Sequence, residues 1–150
     1  MTNESEAQQV VVAGVDGSAA SVAALSWASR YAAATGSKVR AVLAWHYPSA
    51  VGAAPVGVAP EPVRAQTEQQ MREHLAEAIA KVYPDPSAAH VESVVEYGHP
   101  APVLIAESQE ADLLVVGSHG HGAFTGMLIG SVSIHCVNNA ACPVVVVRSR

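Results

Sequence analysis

The sequence has few charged residues, few aromatic residues and only two cysteines. Charged residues make up 14% of the 150 residues and aromatic residues 5%, whereas hydrophobic residues make up 50%. A chain with so little charge and so much apolar content is not disordered throughout. Two cysteines cannot form the disulfide framework of a small secreted protein. We therefore expect Cys136 and Cys142 to be reduced, partly buried thiols.

Long apolar runs and an excess of basic residues are also missing. No apolar stretch reaches the roughly 18 residues that a membrane-spanning helix needs. The first nine residues are polar and acidic, and they lack the basic segment that opens a secretory signal. The net charge of −5 argues against nucleic acid or an anionic membrane as the main partner. We therefore expect a cytoplasmic protein.

What the sequence does contain is an alternation of short apolar runs with longer amphipathic segments. Apolar runs rich in Val, Leu and Ala predict strands, and segments with apolar residues three and four apart predict helices. The predicted strands are residues 10–14, 38–45, 91–97, 113–116 and 143–147, and the predicted helices are about 18–35, 63–82, 100–108 and 130–139. This order predicts a doubly wound, open, parallel five-stranded sheet with helices on both faces. We expect residues 1–9 to be loose and residues 10–150 to form one domain.

The most informative segment is residues 113–133, in which a buried strand leads into a glycine-rich loop and a helix start. Glycines let backbone N–H groups approach an oxyanion. The first N–H groups of a helix have no partner within the helix, and the helix dipole favours negative charge there. The hydroxyl groups of Ser131 and Ser133 add donors. The segment therefore predicts a phosphate site. Its glycines are Gly117, Gly120, Gly122, Gly126 and Gly130.

Other polar and aromatic residues are expected at the same edge of the sheet, because the carboxyl ends of parallel strands meet there. Asp16 follows the first strand, and it is either a ligand contact or a carboxylate that caps the next helix. Trp45 and His46 end the second strand, where a core-edge Trp and a solvated His are favoured over stacking on a base. The proline-rich residues 46–62 predict a surface loop or lid at this edge.

The spacing of the glycine-rich segment resembles the nucleotide-binding signature of the universal stress protein family. The pattern is Gly117-x-x-Gly120, nine residues, then Gly130-Ser131, and the resemblance extends over residues 10–148. It implies a Rossmann-like fold, frequent dimers, and ATP binding, which many but not all members show. It further implies that the ligand is an adenine nucleotide, ATP in the first place, with Mg²⁺ carried by its phosphates.

The resemblance also implies roles for individual residues. Asp16 would contact the nucleoside, and the backbone near Ala44 would contact the adenine. The phosphates and ribose would be held by Gly117, Gly120, Gly130, Ser131 and Ser133, with a backbone N–H from Val132, while His119 and Gly122 would line the loop.

The loop lacks the residues that phosphate-transferring enzymes use. Residues 117–133 contain no Lys or Arg, whereas a Walker motif places a lysine on the phosphates. Neutral donors bind charge but do little to stabilise its movement in a transition state. We therefore predict a nucleotide-responsive stress or regulatory module with no catalytic residue. Two alternatives stay open: a weak ATPase or nucleotide-dependent transferase, and a dimeric interaction module with a vestigial pocket.

Two further predictions concern metals and partners. His119 and His121 place two imidazoles close together, but a zinc site needs three or four ligands, so we expect no metal held by the protein alone. The continuous β-branched run Val144–Val147 predicts an unpaired edge strand that finds a partner. The family resemblance implies the same pairing, so we expect a homodimer through this strand.

Overall fold

The computed structural model describes residues 7–47, 61–85, 91–120 and 129–149. Nine elements alternate along these ranges. The strands are β1 (Val10–Gly14), β2 (Lys38–Trp45), β3 (Val91–Tyr97), β4 (Leu113–Gly117) and β5 (Val144–Val147). The helices are α1 (Ala19–Thr35), α2 (Glu61–Val82), α3 (Pro100–Ser108) and α4 (Ser131–Asn139).

The five strands form one parallel sheet in the order β3-β2-β1-β4-β5. Helices α1 and α2 cover one face, and α3 and α4 cover the other, so the predicted doubly wound fold is confirmed. The chain first builds outward from β1 through β2 to β3, and then crosses back to β4 on the other side of β1. The carboxyl ends of β1 and β4 therefore flank the topological switch point, which is where open α/β sheets bind ligands.

Each face of the sheet has its own apolar core, because successive side chains of a strand point to opposite faces. Val11 and Ala13 of β1 pack with Leu25 of α1 and Leu75 of α2. Val12, between them, packs on the other side. The buried face of α1 is made largely of alanine and serine, which lets the helix lie close to the sheet: Ala20, Ser21, Ala24, Leu25, Ala28 and Ala32.

The ends of α1 follow the local sequence. Ser18 is the N-cap, and its side chain accepts a hydrogen bond from the N–H of Ser21 at 3.2 Å. Gly36 is the C-cap, with a φ of 72° that suits glycine, and its N–H bonds to the carbonyl of Ala32. Serine and glycine are the residue types that helix starts and helix ends favour. Apolar spacing along α1 places Val22 on the same face as Leu25, but Val22 is only half-buried and packs at the margin of the core.

Other boundaries shift by one or two residues. Helix α2 begins at Glu61 and not at residue 63, since Pro62 is tolerated in a first helical turn. Strand β4 includes Gly117, and Gly130 is the N-cap of α4 and not its first residue. Most of the predicted proline-rich loop lies outside the described residues. None of the helices in the described ranges is both long and apolar enough to cross a membrane.

Both cysteines are free thiols, as expected. Cys136 lies fully buried on the inner face of α4, and burial raises the pKa of its thiol to about 11. Burial also raises the pKa of the Cys142 thiol. Since the thiolate is the reactive form, neither cysteine is activated as a nucleophile.

Candidate functional site

The candidate site lies at the switch point, where the turn after β1 meets the segment after β4. A Cβ atom added to Gly120 would lie 2.6 Å from Oδ2 of Asp16. The Asp16 carboxylate therefore sits directly against the backbone of the glycine-rich segment. The structure thus brings together two residues that are far apart in the sequence and that we selected for separate reasons.

Asp16 also organises the start of α1. Its Oδ1 accepts a hydrogen bond from the N–H of Ser18 at 2.8 Å, and its own N–H donates to Oγ of Ser21 at 3.2 Å. Between these residues Gly17 adopts a φ of 84°, which is readily available only to glycine. One carboxylate oxygen therefore helps to fix the turn while the other faces Gly120, so the two interpretations of Asp16 are compatible.

Gly117 lies where the end of β4 packs against the first turn of α1. An added Cβ would lie 2.7 Å from the carbonyl carbon of Ala20 and 2.8 Å from its oxygen. Real side chains do not approach backbone atoms so closely. Only glycine fits here, and the reason is close packing inside the protein. The carbonyl of Gly117 accepts a hydrogen bond from the buried hydroxyl of Ser133 at 2.6 Å, which ties α4 to the end of β4.

Gly130 lies where the two ends of the glycine-rich loop approach each other. Its N–H donates to the carbonyl of Ser118, and an added Cβ would lie 3.2 Å from that oxygen and 3.6 Å from Cα of His119. Its φ of −74° and ψ of 164° are extended values that any residue adopts. Crowding, and not backbone strain, is therefore the reason for glycine at this position.

The first turn of α4 presents backbone N–H groups at the same edge. The helix ladder begins with the N–H of Ile134, which bonds to the carbonyl of Gly130 at 3.1 Å. Ser131 is exposed, Val132 is half-buried and Ser133 is buried. Among the described residues the first turn contains no acidic side chain that would compete with an anion. A helix start of this kind, next to a glycine-rich segment, can bind an anion.

Ser118 is a site residue that we did not predict. Its side chain is 2% exposed, its N–H donates to the carbonyl of Val147 at 2.8 Å, and its carbonyl accepts from Gly130. Its hydroxyl lies 3.0 Å from Nδ1 of the half-buried His119. Ser118 therefore links β5, His119 and the start of α4. The only signal in the sequence was a serine directly after a buried strand, which is common in turns.

The remaining predicted residues lie around this centre or outside the described ranges. Ala44 is half-buried near the end of β2, two residues beyond Val42, whose carbonyl accepts from the N–H of Val15 at 2.8 Å. Ala44 is thus at the same edge as Asp16, one strand away. Gly122 falls outside the described residues.

Trp45, the last residue of β2, and His46, which follows it, lie in different surroundings. Trp45 is buried and makes edge contacts with the rings of Tyr47 and Tyr97, with centroids 5.4 Å and 5.0 Å away. His46 is exposed and contacts the ring of His99 at 4.0 Å between centroids. The prediction of a core Trp and a solvated His at this edge is confirmed.

A metal bound by the protein alone would need further ligands beside the loop histidines His119 and His121. Across residues 7–47, 61–85, 91–120 and 129–149, no three His, Cys, Asp or Glu side chains converge as metal ligands would. His121 lies outside these ranges.

These features define a doubly wound α/β domain with a glycine-rich segment, an aspartate and a helix start at its switch point. The chain belongs to the universal stress protein family, whose sequence model matches residues 8–148. The resemblance noted in the sequence is thereby confirmed.

Individual relatives agree with this assignment. A universal stress protein of Mycolicibacterium smegmatis is 41% identical over 143 residues, which cover 93% of this chain and 46% of that protein. The chain therefore spans about half the length of the curated relatives it matches. The solved structure of universal stress protein UspA from Lactobacillus plantarum is 23% identical with a TM-score of 0.74, and the match covers 95% of this chain and 100% of that one. A universal stress protein solved in complex with cAMP is 28% identical with a TM-score of 0.58, and the match covers 93% of this chain and 95% of that one.

Proposed function

We propose that this chain binds an adenine nucleotide at the switch-point edge and acts as a nucleotide-responsive regulatory module. The observation that carries the proposal is the contact of the Asp16 carboxylate with Gly120, beside the close approach of Gly130 to Ser118. This contact puts a hydrogen-bond acceptor for hydroxyl groups next to backbone N–H donors for phosphate. A related universal stress protein was solved with cAMP bound, which supports an adenine nucleotide as the ligand. ATP is the nucleotide that we propose.

In this proposal the residues divide into contacts and supports. Asp16 faces the ribose, and the backbone near Ala44 faces the adenine. Gly120, Ser131 and Val132 present donors to the phosphates, while the bond of Gly130 to Ser118 holds the two ends of the loop together. His119 lines the loop together with Gly122. Gly117 and Ser133 act mainly as supports, because one packs on Ala20 and the other bonds to Gly117. Mg²⁺ would be held by the phosphates.

The primary test is calorimetric titration of the full chain with ATP, AMP and cAMP. We expect saturable binding of ATP at one site per chain, weaker binding of at least one competitor, and loss of affinity in Asp16→Ala. The control is Asn138→Ala. Asn138 is exposed near the far end of α4, so this variant should bind nucleotide like the parent. Absence of binding for all three nucleotides would overturn the proposal in favour of a vestigial pocket.

We further propose binding without rapid turnover. Since residues 117–133 contain no Lys or Arg, no permanently charged side chain there neutralises charge that develops on a transferring phosphate. Phosphate release should stay well below the roughly 1 s⁻¹ that marks the low end of typical enzymes. Robust, saturable release that is lost in Gly130→Val would favour the alternative of an ATPase. The cytoplasmic location expected from the sequence remains a prediction.

We also propose a homodimer formed through β5. This strand is at the end of the sheet, and within the described residues it pairs with β4 alone. Its four valines are half-buried, and the adjacent α4 exposes 45% of Ile134 and 55% of Val137. A second copy would satisfy the strand edge and cover these side chains. Sedimentation should show a dimer at micromolar concentration, and Val137→Lys should weaken this dimer. A monomer with and without ATP would exclude this assembly.

A further inference from the structure

Two arginines lie at the carboxyl edge of the sheet, one at each end. Arg64, in the first turn of α2, lies over the ring of Tyr97 at the end of β3, with its guanidinium carbon 4.8 Å from the ring centroid. Arg148 directly follows β5, which is at the opposite end of the sheet order. Arg148 is therefore the one of the two that lies beside β4, the strand that leads into the glycine-rich segment.

Backbone hydrogen bonds place Arg148 close to the start of α4. The carbonyl of Val147 accepts from the N–H of Ser118 at 2.8 Å, and the carbonyl of Ser118 accepts from the N–H of Gly130. Val147 and Gly130 are thus each one hydrogen bond away from Ser118. The residues that follow them, Arg148 and Ser131, therefore flank the same short segment after β4.

The alternation of side chains along β5 puts Arg148 on the same face of the sheet as α4. Val145 and Val147 pack in the core on the side of α1 and α2. Val144 and Val146 pack in the core on the side of α3 and α4. Arg148 is the next residue of the second set. It therefore belongs to the face on which α4 begins, and it is exposed there.

The charge of Arg148 is not used inside the described part of the chain. Among those residues it makes no hydrogen bond, ion pair or ring contact, whereas Lys38, Arg40 and Arg72 each contact a glutamate. The first turn of α4 contains no acidic side chain, and a helix start carries the positive end of the helix dipole. Two positive groups side by side repel each other, so this corner of the molecule favours an anionic ligand.

We propose that Arg148 binds the terminal phosphates of the nucleotide and makes the site selective for a nucleoside polyphosphate over a monophosphate. This inference rests on the nucleotide site proposed above, in which the adenine faces β2, the ribose faces Asp16 after β1, and the first phosphate meets the start of α4 beside β4. The sheet order continues from β4 to β5. In this arrangement each additional phosphate extends the ligand toward Arg148. A guanidinium group suits this role, because its planar fork can donate to two phosphate oxygens.

Arg148 adds affinity without making the site an enzyme. The chain has a net charge of −5, and residues 117–133 contain no Lys or Arg, so a triphosphate needs a cation from elsewhere in the fold. The contact with Arg148 is already formed in bound ATP. A contact of equal strength in the bound nucleotide and in a transition state raises affinity and leaves the rate of the chemical step unchanged. Slow turnover is therefore still expected.

The test is calorimetric titration of the full chain with ATP and with AMP, in the parent and in Arg148→Gln. The parent should bind ATP more tightly than AMP. In the variant ATP affinity should fall about tenfold, because one charge-assisted contact at a solvent-screened position is lost. AMP has no terminal phosphates and should bind to both proteins alike. Arg148→Lys keeps the charge but not the planar fork, so its ATP affinity should lie between those of the parent and Arg148→Gln.

Arg30→Gln is the matched control. It makes the same change of charge at an exposed position, in the half of α1 that is farther from the switch-point edge. It should bind both nucleotides like the parent. Added salt should weaken ATP binding more in the parent than in Arg148→Gln, since the contact is between charges. Because Arg148 adjoins β5, sedimentation and thermal unfolding should also be measured, and both should match the parent.

The outcomes separate this inference from the proposed function. Equal ATP affinity in the parent and in Arg148→Gln would overturn the role of Arg148 and leave the nucleotide site standing. An equal loss for ATP and AMP would also overturn it, because such a loss reports a change in the whole site or in the fold. A parent that binds AMP at least as tightly as ATP would do the same. If the parent binds no adenine nucleotide at all, the proposed function fails, and this inference fails with it.

Discussion

Gly117 and Gly130 belong to one sequence signature, yet they touch different parts of the molecule. A side chain at Gly117 would meet the backbone of Ala20 in α1, at 2.7 Å from its carbonyl carbon. A side chain at Gly130 would meet the carbonyl of Ser118 at 3.2 Å, within the loop itself. The first glycine therefore lets two elements of the fold pack closely, whereas the second brings together the two ends of the candidate phosphate site. One signature combines a requirement of the fold with a requirement of the site.

The strongest test of this difference is Gly117→Ala. The new methyl group would need the backbone of Ala20 to move, so we expect a loss of about 3 kcal/mol in the free energy of unfolding, or failure to fold. Urea unfolding measures this loss. Gly36→Ala is the matched control, because Gly36 has a φ of 72° but no atom within 4 Å of an added Cβ. That control should cost only about 1 kcal/mol. Equal losses at both positions would mean that packing on Ala20 is not what requires glycine.

Gly130→Val should separate binding from stability. The extended backbone at this position accepts valine, but its side chain would push Ser118 and the start of α4 apart. Losing two N–H contacts to a charged ligand, at about 1.5–3 kcal/mol each, weakens ATP binding at least a hundredfold. Calorimetry should be combined with thermal unfolding by circular dichroism. A folded variant that binds ATP like the parent would remove Gly130 from the site.

A purely structural role for Gly130 predicts a different result. The melting temperature would fall, and nucleotide affinity would decrease only in proportion to the unfolded fraction. Measuring both quantities on the same sample distinguishes the two roles.

The sequence signature alone does not distinguish a glycine required by the fold from one required by the site. Much of the fold itself can nevertheless be predicted from the sequence. Strand β3 and helix α3 have the predicted bounds, because a β-branched run and an early proline are strong local signals. By contrast, the contact of Gly117 with Ala20 and that of Gly120 with Asp16 join distant parts of the chain. They depend on strand order and register, which a local pattern does not specify. The same limit explains why Ser118 was not predicted.

Ser133 lies in the first turn of α4, which follows Gly130, and bonds to Gly117, so Ser133→Ala should have an intermediate effect. Its buried hydroxyl donates to the carbonyl of Gly117 at 2.6 Å, and alanine would leave that carbonyl without this partner. We expect the free energy of unfolding to fall by about 1–2 kcal/mol. ATP affinity of the folded fraction should change less than in Gly130→Val. An affinity loss as large as that of Gly130→Val, with unchanged stability, would instead show that Ser133 contacts the ligand directly.

The smallest effect is expected for Ser131→Ala, the variant that isolates one side-chain contact at the helix start. Ser131 is the first residue of α4 and is exposed, so alanine disturbs no core and has a higher helix propensity. Stability should therefore stay within about 0.5 kcal/mol of the parent. Removing one hydroxyl while the backbone N–H groups remain should weaken ATP binding by about threefold to tenfold. Asn138→Ala, at an exposed position near the other end of the same helix, controls for a general change in the helix and should leave affinity unchanged. If Ser131→Ala binds ATP like this control, the site consists of backbone donors, and recognition of phosphate at α4 then depends on Gly130 and not on the serine that follows it.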